Sequence, residues 1–263
     1  HNVYGHQNII KRIYNSQLCK VDKIIAISDY VKNEITKIYN INPSKITVIN
    51  RGTDVEFFDS NANIDDYFSN FLNLKNINSE KKIILYPGRF TEWKGQIEFL
   101  NLVEFFKEEP IEFYFSGDNK NISYYNKFIK EVNKRNLNNN CRILGHLNKN
   151  EMKMMYLCSD LVISAPLRPE GFGRTVSEAL SMKKIILAYN FGGVKNQLDN
   201  LDSIYKIKPL DFSEMKNKIN LVLKLKENEI HTMGIIARQH IINFFSKDSM
   251  LLSYNNFYQE IVD

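Results

Sequence analysis

The chain has 263 residues, room for one large α/β domain or two small ones, and its 43% hydrophobic and 25% charged residues are those of a globular protein. No apolar run reaches the ~18 residues that a membrane-crossing helix needs. The net charge of +5 is spread among acidic residues without a dense basic block. That pattern argues against nucleic acid as a partner and leaves weak contact with an anionic membrane surface open. Cys19, Cys141 and Cys158 have neither metal-ligand nor redox spacing, which fits a reduced compartment, the cytoplasm.

Short β-branched runs alternate with longer periodic segments. "KIIAIS" (23–28) predicts a buried strand and "DYVKNEITKIYN" (29–40) a helix opened by Ser28 or Asp29. "KITVIN" (45–50) predicts the next strand. From Val55 to Glu80 the chain is rich in Asn, Asp and Ser and reads mostly as a linker, with a short helix near Tyr67–Leu74. The alternation then becomes regular, with strands at 82–88, 111–117, 141–145, 160–166 and 183–190. Helices at 95–109, about 121–137, about 149–158 and from near Gly173 separate them. Apolar strands divided by helices predict a doubly wound, Rossmann-like parallel sheet covered on both faces, with ligands bound beyond the carboxyl ends of the strands. The final ~55 residues read as helical with a break near Ser246–Ser249. Residues 57–247 are thus expected to form one complete domain, 1–56 the remnant of another with the start of a linker, and 248–263 a final helix returning to the first domain.

Gly88, Gly95, Gly171, Gly173, Gly192 and Gly193 nearly all follow strands, at one edge of the predicted sheet. In "PGRFTEWKG", Arg89 and Lys94 sit beyond the first strand of the complete domain, where two cations can neutralise a diphosphate. The order of residues is not that of a Walker loop. In "RPEGFGRTVSEAL", a helix starting near Gly173 would leave the N–H groups of Gly173, Arg174, Thr175 and Val176 free to hold an anion. Glu170 precedes this anion site and Glu178 follows it within the helix, so each carboxylate could grip a diol on either side of a phosphate. A nucleotide sugar has that order: ribose diol, diphosphate, hexose diol.

These segments resemble a retaining GT-B glycosyltransferase of family 4 (glycosyl transferases group 1). The likeness rests on "IAISDYVKNEI", "ITVINRGTDVEFF", "YPGRFTEWKG", "FYFSGD", "ILGHL" and "DLVISAPLRPEGFGRTVSEALSMKKIILAYNFGG", in family order, with E-x7-E from Glu170 to Glu178 and G-R-x4-K-G at 88–95. By position, the resemblance implies that Arg89 and Lys94 bind the donor diphosphate beside Gly88. It implies that Glu170 holds the donor sugar and Glu178 the ribose. Gly171, Phe172 and Gly173 would line the sugar, Thr175 and Val176 would meet the phosphates, and Leu147 in "GHL" would pack against the base. A histidine upstream of "AIS" falls at His1, with His6 as the second choice, whereas His146, His231 and His240 read as exposed or structural. Asn196 stands where the family commonly has an acidic residue, and most of the family's first domain is absent.

No D-x-D occurs, so cationic side chains and helix amides, rather than a metal or other cofactor, are expected to carry the diphosphate. The expected partners are a nucleotide sugar and a glycan or glycolipid acceptor, in bacterial surface-glycan or lipopolysaccharide synthesis, with the inner membrane face as a candidate place of contact. Two other readings stand beside transfer. One is a hydrolase using Glu170 and Glu178 as paired carboxylates, which leaves Arg89 and Lys94 without a role. The other is a nucleotide-sugar-binding fragment that does not turn over.

Overall fold

The computed structural model describes residues 9–61, 65–77 and 80–262. The first unit holds helix α1 (Ile9–Leu18), strand β1 (Ile24–Ala26), helix α2 (Asp29–Tyr39) and strand β2 (Ile46–Val48). The two strands pair in parallel over a small cluster of Ala26, Val31 and Ile46. Helix α2 begins where its chemistry directs: the Ser28 hydroxyl accepts the Val31 N–H at 3.2 Å. It ends at Asn40, one of the few residue types that tolerates the left-handed φ of 51° found there.

The asparagine-rich linker carries helix α3 (Asp65–Leu74). The second unit then runs β3 (Lys82–Pro87), α4 (Gln96–Phe105), β4 (Ile111–Ser116), α5 (Ile122–Lys134), β5 (Cys141–Gly145), α6 (Lys149–Cys158) and β6 (Leu161–Ser164). It continues with α7 (Arg174–Ser181), β7 (Ile186–Tyr189), α8 (Val194–Leu198), β8 (Lys206–Ile207), α9 (Phe212–Val222), α10 (Glu227–Phe245) and α11 (Lys247–Val262). All six strands β3 to β8 are parallel, in the order β5-β4-β3-β6-β7-β8. Strand β4 is buried along its whole length, as are β6 and β7, which is why these runs are apolar rather than alternating.

The order of strands locates the site. From β3 the chain winds outward through β4 and β5, whereas from β6 it winds the other way through β7 and β8. A crevice therefore opens between β3 and β6 at their carboxyl ends, where ligands bind in doubly wound sheets. Both loops singled out by the sequence, 88–95 and 165–173, leave the sheet there.

Two elements escape the sequence reading: the five-residue α8 and the two-residue β8 are too short for any periodicity to reveal. The predicted break falls at Ser246, with a reason that lies elsewhere in the chain. Thr53 pairs with Ser246, its N–H donating to Phe245 at 2.7 Å and its carbonyl accepting from Lys247 at 3.0 Å. The linker therefore crosses the chain where α10 gives way to α11. Among the described residues no helix is long and apolar enough to cross a membrane.

Candidate nucleotide-sugar site

A cleft of about 790 Å³ lies over the crevice, and both units line it. The second unit contributes Gly88, Arg89 and Lys94 from the loop after β3, Leu147 after β5, and Glu170, Gly171, Phe172, Gly173, Thr175 and Glu178 around the start of α7. The first unit and the linker contribute Ile27, Tyr30, Val31 and Arg51.

The loop before α7 is held from behind by its carbonyls. Glu170 accepts the Gly193 N–H at 2.8 Å, and Gly171 accepts the Ser28 hydroxyl at 2.6 Å. Phe172 and Gly173 both accept from the amide of Gln197, which is fully buried. Gly193 must be glycine, because a Cβ there would run into the Gly171 carbonyl. Gly173, the N-cap of α7, has φ of 86° and offers no side chain to satisfy the helix amides. Four consecutive carbonyls are thus occupied, while the N–H groups of residues 171 to 175 find no protein acceptor among the described residues. Amides left free at a helix start, with their carbonyls tied back, make an anion site.

Val176 departs from the expectation that its amide meets a phosphate. Its N–H donates to the Gly173 carbonyl at 3.0 Å, its side chain is fully buried, and it does not line the cleft. The left-handed turn at Gly173 brings that carbonyl within reach one residue earlier than a straight entry into the helix would.

The two glutamates have different neighbours. Lys94 Nζ donates to Glu170 Oε1 at 2.6 Å, with both side chains largely buried. Glu170 Oε2 is buried without a hydrogen-bond partner, near Gly173. Buried carboxylate oxygens are costly to leave unsatisfied, and Glu170 is among the residues that line the cleft. Glu178 Oε2 instead accepts the hydroxyl of the fully buried Tyr156 at 3.0 Å. Burial pushes the Glu178 carboxyl above its usual range, against the opposing effects of Tyr156, Arg174, Lys149 and Arg51.

The cation loop is equally braced. Gln96 donates its side-chain amide to the carbonyls of Gly88 (3.2 Å) and Arg89 (2.9 Å). Tyr86 reaches from β3 to the Lys94 carbonyl at 2.6 Å. Arg89 is exposed and makes no ion pair among the described residues.

Three side chains in or beside the cleft, Arg51, Trp93 and Arg174, were not singled out in the sequence, where Arg174 figured only through its backbone N–H. Arg51 and Arg174 line the cleft near Glu178, and Trp93 lies beside Lys94. Arg174 did carry a signal: a cation in the first turn opposes the helix dipole, so its place there calls for a reason other than helix stability. Arg51 comes from the linker and no local pattern marks it. The amide of Asn196 donates to Asp29 at 2.7 Å, a bond that an acidic residue at 196 would replace with repulsion. His146 is exposed at the rim of the cleft. His1 and His6 lie outside the described residues. Among the described residues no group of three His, Cys, Asp or Glu could hold a metal.

The family model for glycosyl transferases group 1 matches residues 70–240, and that for glycosyltransferase family 4 matches residues 1–57. The chain belongs to the group 1 glycosyltransferases. A glycosyltransferase from Rickettsia africae superposes with a TM-score of 0.88 at 29% identity, over 99% of this chain and 69% of its own. Anabaena HepE, solved with UDP and glucose, superposes at 0.84 and 17% identity, over 97% of this chain and 68% of its own, and so bears on the GT-B fold alone. The capsular polysaccharide glycosyltransferase CapH of Staphylococcus aureus is 28% identical over 64% of this chain and 42% of its own length. The lipopolysaccharide 1,2-N-acetylglucosaminetransferase of Salmonella typhimurium is 23% identical over 87% of this chain and 59% of its own. This glycosyltransferase chain thus spans only part of the length of these curated relatives.

Proposed function

We propose that the protein transfers a sugar from a nucleotide-diphosphate sugar to an acceptor hydroxyl, with retention at the anomeric carbon and with no metal on the diphosphate. The observation that carries this reading is the loop 170–173, whose four carbonyls are tied back while the following amides face a cleft bearing Arg89, Lys94 and Arg174. Such a nest suits a diphosphate, and it stabilises the charge that grows on the leaving group as the anomeric bond breaks. On this reading Glu170 Oε2 takes a hydroxyl of the donor sugar and Glu178 the ribose. Gly171, Phe172 and Gly173 line the sugar, and Leu147 packs by the base. The relatives named for capsule and lipopolysaccharide synthesis favour surface-glycan assembly as the setting, with a glycan or glycolipid as acceptor.

The test is transfer by the full-length protein from a panel of UDP-, GDP- and ADP-sugars, with and without excess EDTA, and with the product anomer read by NMR. Transfer that persists in chelator and gives the donor's anomer supports the proposal. Activity restored only by Mg²⁺ or Mn²⁺ contradicts the metal-free part, and an inverted product contradicts retention. Cleavage of a glycoside that lacks any nucleotide would instead favour a hydrolase.

A further inference from the structure

We infer that Lys94 masks the sugar subsite of the ligand-free protein and that a bound diphosphate unmasks it. This rests on the donor site proposed above and adds to it a coupling between diphosphate and sugar and an aromatic wall.

Trp93 is the single tryptophan of the 263 residues, and it lines the cleft at partial exposure. The Lys94 ammonium lies over its ring, 4.6 Å from the centroid, while donating to Glu170 Oε1 at 2.6 Å. One cation thus covers the two kinds of surface a sugar uses. A carboxylate accepts hydroxyl hydrogen bonds, and the electron-rich face of an indole packs against the weakly positive C–H face of a pyranose.

The backbones on both sides are fixed. The Leu167 N–H donates to the Trp93 carbonyl at 2.7 Å, Tyr86 holds the Lys94 carbonyl, and the Gly193 N–H holds that of Glu170. What can move is the lysine stem, four flexible carbons ending in a point charge. A diphosphate seated on the amides at the start of α7 competes for that ammonium with charge-assisted bonds of its own. When Lys94 turns to it, Glu170 Oε1 loses its partner and joins the already unpartnered Oε2. The carboxylate then needs donors, which sugar hydroxyls supply, and the indole face is bare. Diphosphate and sugar should therefore bind with positive coupling, each raising the affinity for the other by the same factor.

Calorimetry and Trp93 emission, followed together in the full-length protein, test this. UDP, GDP and ADP are titrated first, then glucose, galactose, mannose and N-acetylglucosamine with and without the bound nucleotide. Where the full-length protein carries other tryptophans, Trp93→Phe identifies the signal of this one. The nucleotide that binds should change Trp93 emission, and its nucleoside should not. At least one free sugar should bind about tenfold or more tighter when the nucleotide is present. Trp93→Phe should lose the optical change while keeping the coupling. Lys94→Met, with folding checked by melting, should bind sugar with no dependence on nucleotide. Nucleotide binding without an emission change, together with sugar affinities unaltered by it, overturns the masking but leaves the donor site standing. Absence of binding by all three nucleotides overturns both.

Discussion

Glu170 and Glu178 flank the same helix start, yet one is paired with a lysine and the other with a tyrosine. Glu170 is paired with an ammonium that can be drawn away, so its binding capacity is conditional on what else is bound. Glu178 is held by a neutral phenol inside the fold, and burial pushes its carboxyl upward. Its capacity is permanent and has a cost in stability. Identical residues in one motif thus become two devices, because β3 delivers Lys94 to one pole while α6 delivers Tyr156 to the other.

The largest effect is expected from removing the cation of the conditional pole. Lys94→Ala should weaken nucleotide diphosphate by roughly 1.5–3 kcal/mol, the scale of charge-assisted hydrogen bonds, and Arg89→Ala by a similar amount. Nucleoside binding, measured on the same variants, should stay unchanged. Equal losses for both ligands would mean that these residues support the fold and that the two poles are not distinct.

Arg174 provides a smaller and less usual effect. Arg174→Ala should weaken nucleotide diphosphate by about 1 kcal/mol, as expected for an exposed cation, while raising the melting temperature slightly because a charge opposing the helix dipole is gone. A variant that loses stability as well would show that Arg174 serves the helix rather than the ligand.

The permanent pole makes a prediction in pH. Because the Glu178 carboxyl is raised in the folded state, the native protein binds more protons than the unfolded chain at pH values between the ordinary glutamate value of 4.5 and the raised one. Its contribution to stability therefore falls as pH rises through that window and is lowest above it. Glu178→Gln keeps an acceptor for Tyr156 and should melt higher than the parent at neutral pH, with the gain vanishing towards pH 4.5. A gain that persists unchanged at low pH, or a loss at neutral pH, would contradict a burial cost at this residue.

The sequence revealed the sheet and the positions of both loops, because buried parallel strands are continuous apolar runs and glycines follow them. It offered Ser28 or Asp29 as the cap; the structure takes Ser28, and its hydroxyl also reaches the Gly171 carbonyl from another unit, which no local pattern shows. It could not reveal the Lys94–Glu170 pair, whose members lie 76 positions apart and meet only because β3 and β6 are neighbours at the switch of winding. Gln197 was equally invisible: a polar residue in α8, it is defined by the two carbonyls it grips. The amide of Val176 was misplaced because the left-handed turn at Gly173 is a backbone feature that glycine permits and does not dictate.

The most direct measurement is calorimetry of Glu170→Gln and Glu178→Gln, each titrated with the free nucleotide diphosphate and with the matching nucleotide sugar. The account predicts that Glu178→Gln weakens both ligands alike, since both carry the ribose. It predicts that Glu170→Gln leaves the free nucleotide unchanged or tighter, since the competing partner of Lys94 is weakened, while the advantage of the nucleotide sugar over it is lost. Glu170→Gln losing free nucleotide as badly as Glu178→Gln, or neither variant telling the two ligands apart, would contradict it.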